Sequence, residues 1–217
     1  MTVDVKLLAI LALPLAYLFA FMQLGFWLYR RERRVHLHWA AANLVGALGA
    51  TLLVLRHHLP LWMTTSLANS IILASTFILW MSMARFAGHA RSSRPFVLAV
   101  GVFFCLFQGL WSITDDLGMR VLLVSLASAV ANAGVAWELL LGQQQQRLRS
   151  RAVLSLVFVL HALFHLFRAA TAVTLDASKD FLQANGIQNL SVAITGTKLI
   201  FWNIMAVIMV REQQRKG

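Results

Sequence analysis

The sequence contains very little acid, cysteine or proline. Its 217 residues include 8 Asp and Glu, one Cys and 3 Pro. The lone Cys105 excludes a disulfide scaffold, and the low proline content with only 12 Gly excludes collagen-like and Pro-rich disordered chains. Charged residues make up 12% of the chain, whereas soluble domains contain about 25%. The composition therefore excludes an ordinary soluble globular protein.

Long apolar runs dominate what is present. Apolar residues make up 59% of the chain, and the mean hydropathy is +0.72. A helix needs about 20 apolar residues to cross a bilayer. Seven such runs, separated by short polar connectors, lie at residues 7–29, 37–55, 61–83, 96–114, 118–141, 152–174 and 188–210. Their apolar residues are continuous rather than alternating, which favours helices over strands.

These runs predict an all-α fold, a polytopic membrane protein with a seven-transmembrane helix bundle. Residues 1–210 would form the bundle, and residues 211–217 would begin a cytoplasmic helix. We read the first run as a retained span rather than a cleaved signal, because it lacks a small-residue cleavage pattern and ends in Arg-Arg-Glu-Arg-Arg.

The positions of the basic residues predict the orientation of the bundle. The formal net charge is +11. Thirteen basic residues follow runs one, three, five and seven: Arg30, Arg31, Arg33, Arg34, Arg85, Arg91, Arg94, Arg147, Arg149, Arg151, Arg211, Arg215 and Lys216. The other connectors and the N-terminus carry Lys6, Arg56, Arg120 and Lys179. By the positive-inside rule the N-terminus is outside and the C-terminus inside. The expected partner of this charge is the anionic lipid bilayer, not nucleic acid.

Ionisable residues inside the runs predict a ligand site. His161, His165 and Arg168 are spaced by four and three residues, which places them on one helical face. Lys198 in the seventh run lies at a depth similar to that of His161. Charged groups inside a bilayer are costly, so each is a functional hypothesis. With the amides of Asn69 and Gln108, they predict a positively charged pocket in the outer half of the bundle, for an anionic or carbonyl-bearing ligand.

The alternative interpretation of these polar residues is structural. Amides in membrane helices often only join neighbouring helices by hydrogen bonds. This alternative applies to each amide in the runs: Gln23, Asn43, Asn69, Gln108, Asn132 and Asn203.

Glu138 is predicted to lie at the membrane interface, near the inner end of the fifth run. Trp27, Trp39, Trp80 and Trp137 at inner ends, with Trp62 and Trp111 at outer ends, predict aromatic belts, and Trp202 is expected to pack inside.

No cofactor or metal is expected, but two cofactors stay open as alternatives. Haem would use His161, His165 or His38 as axial ligands, although no facing pair stands out. Retinal would form a Schiff base with Lys198, although the runs place no carboxylate counter-ion at its depth. A transporter or channel is a further alternative. It is disfavoured because the three prolines lie near the starts of runs, which predicts unbroken helices.

The sequence also contains no catalytic motif. We find no H-E-x-x-H, no G-x-S-x-G and no phosphate-binding loop. We therefore predict no enzyme activity and no catalytic residue within these 217 residues.

One stretch resembles a known family. Residues 55–69 read Leu-Arg-His-His-Leu-Pro-Leu-Trp-Met-Thr-Thr-Ser-Leu-Ala-Asn, and Trp80 and Arg85-Phe86 follow. This pattern resembles the N-terminal seven-transmembrane sensor module of bacterial diguanylate cyclases, the GGDEF proteins. The segments Arg120–Ser125, Arg151–Arg168 and Val210–Glu212 are also similar.

The resemblance implies a sensor or input domain in the bacterial cytoplasmic (inner) membrane. Such a domain would act as a homodimer and relay ligand binding through spans six and seven to a cytoplasmic cyclase. It does not imply a particular ligand. The sequence contains no cyclase domain, so we expect either an input domain cut from a longer protein or a stand-alone unit.

Overall fold

The computed structural model describes residues 5–29, 34–89, 91–114, 116–145, 147–174 and 186–216. Within these ranges the regular structure is entirely helical, with no strand. Four of the basic residues used to predict the orientation, Arg30, Arg31, Arg33 and Lys179, lie outside the described residues.

Seven long helices account for the seven predicted runs. They are α1 (Val5–Tyr29), α2 (Arg34–Val54), α3 (Ala68–Phe86), α4 (Arg94–Ile113), α5 (Leu117–Gln145), α6 (Arg149–Thr174) and α7 (Gly186–Lys216). A 3₁₀ turn, Leu55–His57, follows α2, and a π-helical turn, Met63–Leu67, leads into α3. By length and composition, all seven are able to cross a membrane. The prediction of a multi-pass seven-helix protein is confirmed to that extent.

Contacts between consecutive helices show that they run antiparallel. Tyr17 of α1 bonds Thr51 of α2 over 2.9 Å, and Ser150 at the start of α6 bonds Glu212 near the end of α7 over 2.7 Å. The helices therefore have two common ends. We call the end at which α1, α3, α5 and α7 finish the basic end, and the other the opposite end. The described basic residues follow this division. The basic end carries Arg34, Arg85, Arg91, Arg94, Arg147, Arg149, Arg151, Arg211, Arg215 and Lys216, and the opposite end carries Lys6, Arg56 and Arg120.

Six helices form a closed ring in the order α1, α2, α3, α5, α6, α7, with α7 packing back on α1. Helix α4 lies outside this ring and packs on α3 and α5. Its outward side chains are highly exposed, with Val97 at 70% and Leu98 at 68%. Apolar exposure of this kind fits a lipid environment, because a bilayer covers apolar side chains at no hydrophobic cost.

The apolar core occupies the half of the ring nearer the basic end. Its fully buried members include Trp39 of α2, Met83 of α3, Leu139 of α5, Leu154 of α6 and Met209 of α7. Residues from five ring helices therefore meet in one cluster. In the other half of the ring, polar side chains occupy many of the buried positions, and the candidate site is found there.

The third predicted run is not a regular α-helix throughout. Its first part, Met63–Leu67, is π-helical, which differs from the prediction of unbroken helices. Local side chains stabilise this turn: Thr65 Oγ1 donates to Leu61 O over 2.6 Å, and Asn69 Nδ2 donates to Thr65 O over 2.8 Å. Hydroxyl and amide groups of this kind compete for backbone carbonyls and favour departures from α-helical bonding.

The predicted aromatic belt is wrong for Trp39. This side chain is completely buried and packs against Trp202, Phe86 and His36. Trp202 is also buried, as predicted. Trp62 and Trp137, in contrast, are 46% and 57% exposed near helix ends, where a belt requires them.

Candidate functional site

The buried face of α6 carries the three predicted polar residues. Five buried residues follow one another along α6 at spacings of four, three, four and three: Leu154, Phe158, His161, His165 and Arg168. This spacing places them in one stripe facing the bundle. The stripe is apolar toward the basic end and becomes polar from His161 onward.

Helix α5 supplies small and polar side chains opposite this stripe. Arg168 Nη1 donates to Ser125 Oγ over 3.3 Å. Near the opposite end the two backbones approach so closely that a Cβ on Gly118 would lie 2.6 Å from Ala172 O. Small residues allow such an approach between membrane helices. The long polar side chains of α6 are therefore held in a tight seam.

Helix α7 adds Lys198 to the same seam. Lys198 Nζ donates to Asn132 Oδ1 on α5 over 3.2 Å and lies 5.7 Å from the ring centroid of Phe158. It also lies within electrostatic reach of both imidazoles. Asn132 is fixed because its Nδ2 donates to Ser128 O over 2.7 Å. Within the described part of the chain, the hydrogen-bond acceptor of Lys198 is thus a neutral amide, and no carboxylate contacts it.

The two histidines are bonded to each other. The distance from His165 Nε2 to His161 Nε2 is 3.2 Å. If both rings are neutral, one Nε2 donates this hydrogen bond and the other accepts it. The ring that donates through Nε2 then has an unprotonated Nδ1, and the ring that accepts through Nε2 has an Nδ1–H. Both Nδ1 atoms are buried, and neither has a hydrogen-bond partner among the described residues. An unsatisfied buried polar group costs about 1–3 kcal/mol. The pair therefore presents one free donor and one free acceptor.

The other two predicted site residues make their hydrogen bonds elsewhere. Asn69 bonds Thr65 O on its own chain segment, and Gln108 Oε1 of α4 accepts from Ser66 Oγ over 2.7 Å. The bond between Ser66 and Gln108 joins α4 to the π-helical turn. The structure thus brings together His161, His165, Arg168 and Lys198, and it gives Asn69 and Gln108 hydrogen bonds to other residues.

A second buried network joins α1, α2 and α7. Asn203 and Asn43 exchange two amide hydrogen bonds of 2.9 and 3.2 Å, and Gln23 Nε2 donates to Asn203 Oδ1 over 3.3 Å. His36 Nδ1 bonds Gln23 Oε1 over 2.8 Å. This arrangement matches the structural role considered for these amides. Sequence reasoning missed His36, because α2 begins three residues before the predicted run.

Glu138 is fully buried in the bundle, in the last three turns of α5. Glu138 Oε1 lies 2.7 Å from Arg91 Nη2 and accepts from Trp80 Nε1 over 3.2 Å. Arg91 belongs to the connector between α3 and α4. A buried carboxylate requires such partners, because an isolated charge in the interior is very costly.

The positions of the histidines bear on the haem alternative. Two axial ligands must face each other from opposite sides of a porphyrin. His161 and His165 lie on one face of one helix and bond each other, while His38 lies at the basic end, bonded to Arg34 O over 2.7 Å. No two of the three form a facing pair. In the described ranges, no group of three or more His, Cys, Asp or Glu side chains is arranged to hold a metal ion.

No protein-family model, curated protein or solved structure matches this chain. The resemblance to the diguanylate cyclase sensor module therefore stays a prediction, and the chemistry of the site rests on its own geometry.

Proposed function

We propose that this chain is the sensor or input domain of a bacterial inner-membrane signalling protein. It binds a small or lipophilic ligand, anionic or carbonyl-bearing, in the seam between α5, α6 and α7. One observation carries the proposal. Lys198 has a neutral hydrogen-bond acceptor, and it lies within electrostatic reach of two buried imidazoles, each with an Nδ1 atom that has no partner among the described residues.

An oxygen-bearing ligand would supply what this seam lacks. A carboxylate or carbonyl oxygen accepts a hydrogen bond from an ammonium group and from an imidazole N–H. A carboxylate would in addition compensate the charge of Lys198, and charge-assisted hydrogen bonds are about twice as strong as neutral ones. The free energy gained is larger in a buried site, because the effective dielectric constant there is low.

The same helices offer a route from the site to the basic end. Lys198 and Glu212 lie on α7, separated by about 21 Å at 1.5 Å per residue. Glu212 Oε2 accepts hydrogen bonds from Ser150 N and Oγ at the start of α6, so α6 and α7 are hydrogen-bonded at the basic end, while at the site Lys198 lies 5.7 Å from the ring centroid of Phe158 on α6. Ligand binding changes their arrangement only if two arrangements differ in ligand affinity.

The full proposal adds three elements to this site. The N-terminus is outside and the C-terminus inside, so α7 points toward a cytoplasmic output. That output is a diguanylate cyclase, to which this chain contributes no catalytic group. The domain acts as a homodimer, which native mass spectrometry of the purified protein in detergent tests directly.

Native mass spectrometry also tests the ligand site. The protein is purified from its expression membranes and screened for a co-purified anionic or carbonyl compound. Octanoate and octanol are then compared for their effect on the thermal unfolding of the protein in nanodiscs. Wild type is expected to retain a compound and to be stabilised by octanoate more than by octanol, because bound ligand stabilises the folded state.

Variants assign these effects to the seam. Lys198→Met and Arg168→Leu should remove both effects without preventing insertion. Thr197→Met, at the exposed neighbouring position, is the matched control and should retain them. The proposal would be contradicted if all three variants retained the same compound and showed the same octanoate-dependent shift in thermal unfolding. It would also be contradicted if wild type showed neither effect.

An absorption spectrum of the same preparation tests the two cofactor alternatives. We expect a colourless protein. A Soret band that shifts on reduction with dithionite would instead establish haem, and a broad visible band bleached by hydroxylamine would establish retinal on Lys198. Ligand-driven flux in vesicles would establish the transporter alternative.

A further inference from the structure

A polar cavity lies far from Lys198, at the basic end of the bundle. This basic-end groove has a volume of about 830 Å³ and runs between α2, α3 and α7. The lining residues that matter here are Arg34 and His38 of α2, Ser82 and Arg85 of α3, and Gln213 and Gln214 of α7. Gln213 lies 15 residues beyond Lys198 on α7, a separation of about 22 Å along the helix. The groove is therefore distinct from the seam between α5, α6 and α7.

A chain of hydrogen bonds fixes one guanidinium in the groove. His38 Nδ1 lies 2.7 Å from Arg34 O. Because a carbonyl oxygen only accepts, Nδ1 carries the proton and His38 Nε2 has the lone pair. Nε2 accepts a hydrogen bond from Arg85 Nη1. This contact uses one of the five N–H groups of Arg85 and holds the guanidinium in the wall of the groove.

The lining of the groove is positively charged. It contains two arginines and no acidic residue among the described residues that form it. The acidic residue nearest in sequence on α7 is Glu212, and its carboxylate is occupied by Ser150 on α6. The other polar groups of the lining are a serine hydroxyl and two glutamine amides. This set matches an anion with several oxygen atoms.

We propose that the basic-end groove binds a phosphate group through Arg34 and Arg85. Guanidinium groups bind phosphate through paired N–H···O bonds, a geometry that lysine does not provide. A volume of about 830 Å³ falls within the range of about 300–1,000 Å³ found for small-molecule sites. Gln213 and Gln214 would contact the same ligand, so an occupied groove ties the last turns of α7 to α2 and α3.

The phosphate has two possible sources with the same chemistry. The groove lies where helices α2, α3 and α7 reach their ends, which is the level of lipid headgroups if the bundle spans a membrane. An anionic phospholipid could place its headgroup there, and a phosphorylated solute could enter from the aqueous side. Phosphatidylglycerol and glycerol phosphate both carry a glycerol-linked phosphate, a diester in the lipid and a monoester in the solute, so comparing them separates the two sources.

The test uses the full chain in a phosphate-free maltoside detergent. Binding of phosphatidylglycerol and of glycerol phosphate is measured by native mass spectrometry, with monoacylglycerol as the uncharged lipid control. The variant Arg34→Gln/Arg85→Gln removes both guanidinium groups of the groove. The variant Arg94→Gln/Arg149→Gln removes two exposed arginines at the same end but outside the groove. The two variants therefore have the same net charge.

We expect the groove variant to weaken phosphate binding by about tenfold or more and the control variant by about twofold or less. The variant Arg85→Lys should be intermediate, because it retains the charge but loses the paired N–H groups. Thermal unfolding of each variant without added phosphate shows whether the fold is intact. Should the groove variant unfold, Arg85→Lys alone provides the comparison with the control.

If the groove variant alone loses phosphatidylglycerol binding, and glycerol phosphate does not bind wild type, the groove is assigned to a lipid headgroup. If the groove variant alone loses binding of both probes, the groove is assigned to a free phosphate compound. Equal weakening in the groove and control variants means that only the overall charge matters and overturns the proposal. Absence of binding by both probes in wild type also overturns it. These outcomes are independent of the ligand site at Lys198.

Discussion

At the scale of single residues, close packing decides which positions tolerate change. Trp80 illustrates this, because its indole N–H bonds Glu138 and its ring packs against Phe77 and Phe96, with ring centroids 6.2 and 5.1 Å away. Its flat face lies on Gly134, where a Cβ would be 2.3 Å from the nearest ring atoms. Glycine is required there by close approach, not by backbone conformation.

We therefore expect Gly134→Ala to destabilise the protein by about 1–3 kcal/mol, the usual cost of overpacking. Trp80 cannot move aside without losing its hydrogen bond and its aromatic contacts. The matched control is Gly101→Ala on α4, where no atom lies within 4 Å of the added Cβ. This variant should be neutral or slightly stabilising, because alanine favours helix. Thermal unfolding in detergent compares the two, and equal midpoints would contradict the packing argument.

At the scale of elements, an ion pair attaches the described part of the connector between α3 and α4 to α5. Arg91 is 44% exposed, whereas its partner Glu138 is completely buried. The second oxygen of that carboxylate, Oε2, is buried without a hydrogen-bond partner among the described residues. The buried carboxylate of Glu138 thus depends on Arg91, because the bundle interior cannot solvate its charge.

Arg91→Gln should destabilise the protein by about 1–2 kcal/mol. This is less than the roughly 3–5 kcal/mol lost when a fully buried pair is broken, because water reaches Arg91. Adding Glu138→Gln should restore part of the loss, since the uncompensated charge is then removed. Arg94→Gln, in the first turn of α4, is the control for loss of one arginine. A double-mutant cycle by thermal unfolding measures the coupling, and a coupling energy of zero would refute this role of the pair.

At the scale of the whole molecule, the segregation of charge is the dominant feature. Antiparallel helices place ten described basic residues at one end and Lys6, Arg56 and Arg120 at the other. Positive charge on one side of a multi-pass protein is typical of its cytoplasmic face. The segregation predicts how the bundle lies in a membrane.

Cysteine accessibility tests that orientation. In a Cys105→Ser background, His58→Cys at the opposite end should react with a membrane-impermeant maleimide in intact spheroplasts. Ser92→Cys at the basic end should react only after permeabilisation. Both positions are exposed, so burial does not explain a difference in labelling. The reverse pattern would show the N-terminus inside.

Particular residues show how far sequence reasoning reached at the candidate site. The spacing of His161, His165 and Arg168 was sufficient to place them on one face, and the sequence placed Lys198 only at the depth of His161, without showing that their faces meet. Their partners Ser125 and Asn132 could not be assigned, because those contacts depend on how α5 packs against α6 and α7. Asn69 and Gln108 were grouped with the site by depth alone, and depth does not determine which helices are neighbours.

The sequence by itself determined the seven helices, their approximate ends and the separation of basic residues between connectors. These are local properties: an apolar run of sufficient length forms a helix whatever its neighbours are, and short connectors make consecutive helices antiparallel. Only the tertiary structure decided the ring order with α4 outside, the burial of Trp39, and the pairing of Glu138 with Arg91 at a separation of 47 residues. These features depend on the rotation of each helix about its axis. Nearly uniform apolar sequence leaves that rotation undetermined, and only the packing of specific side chains fixes it.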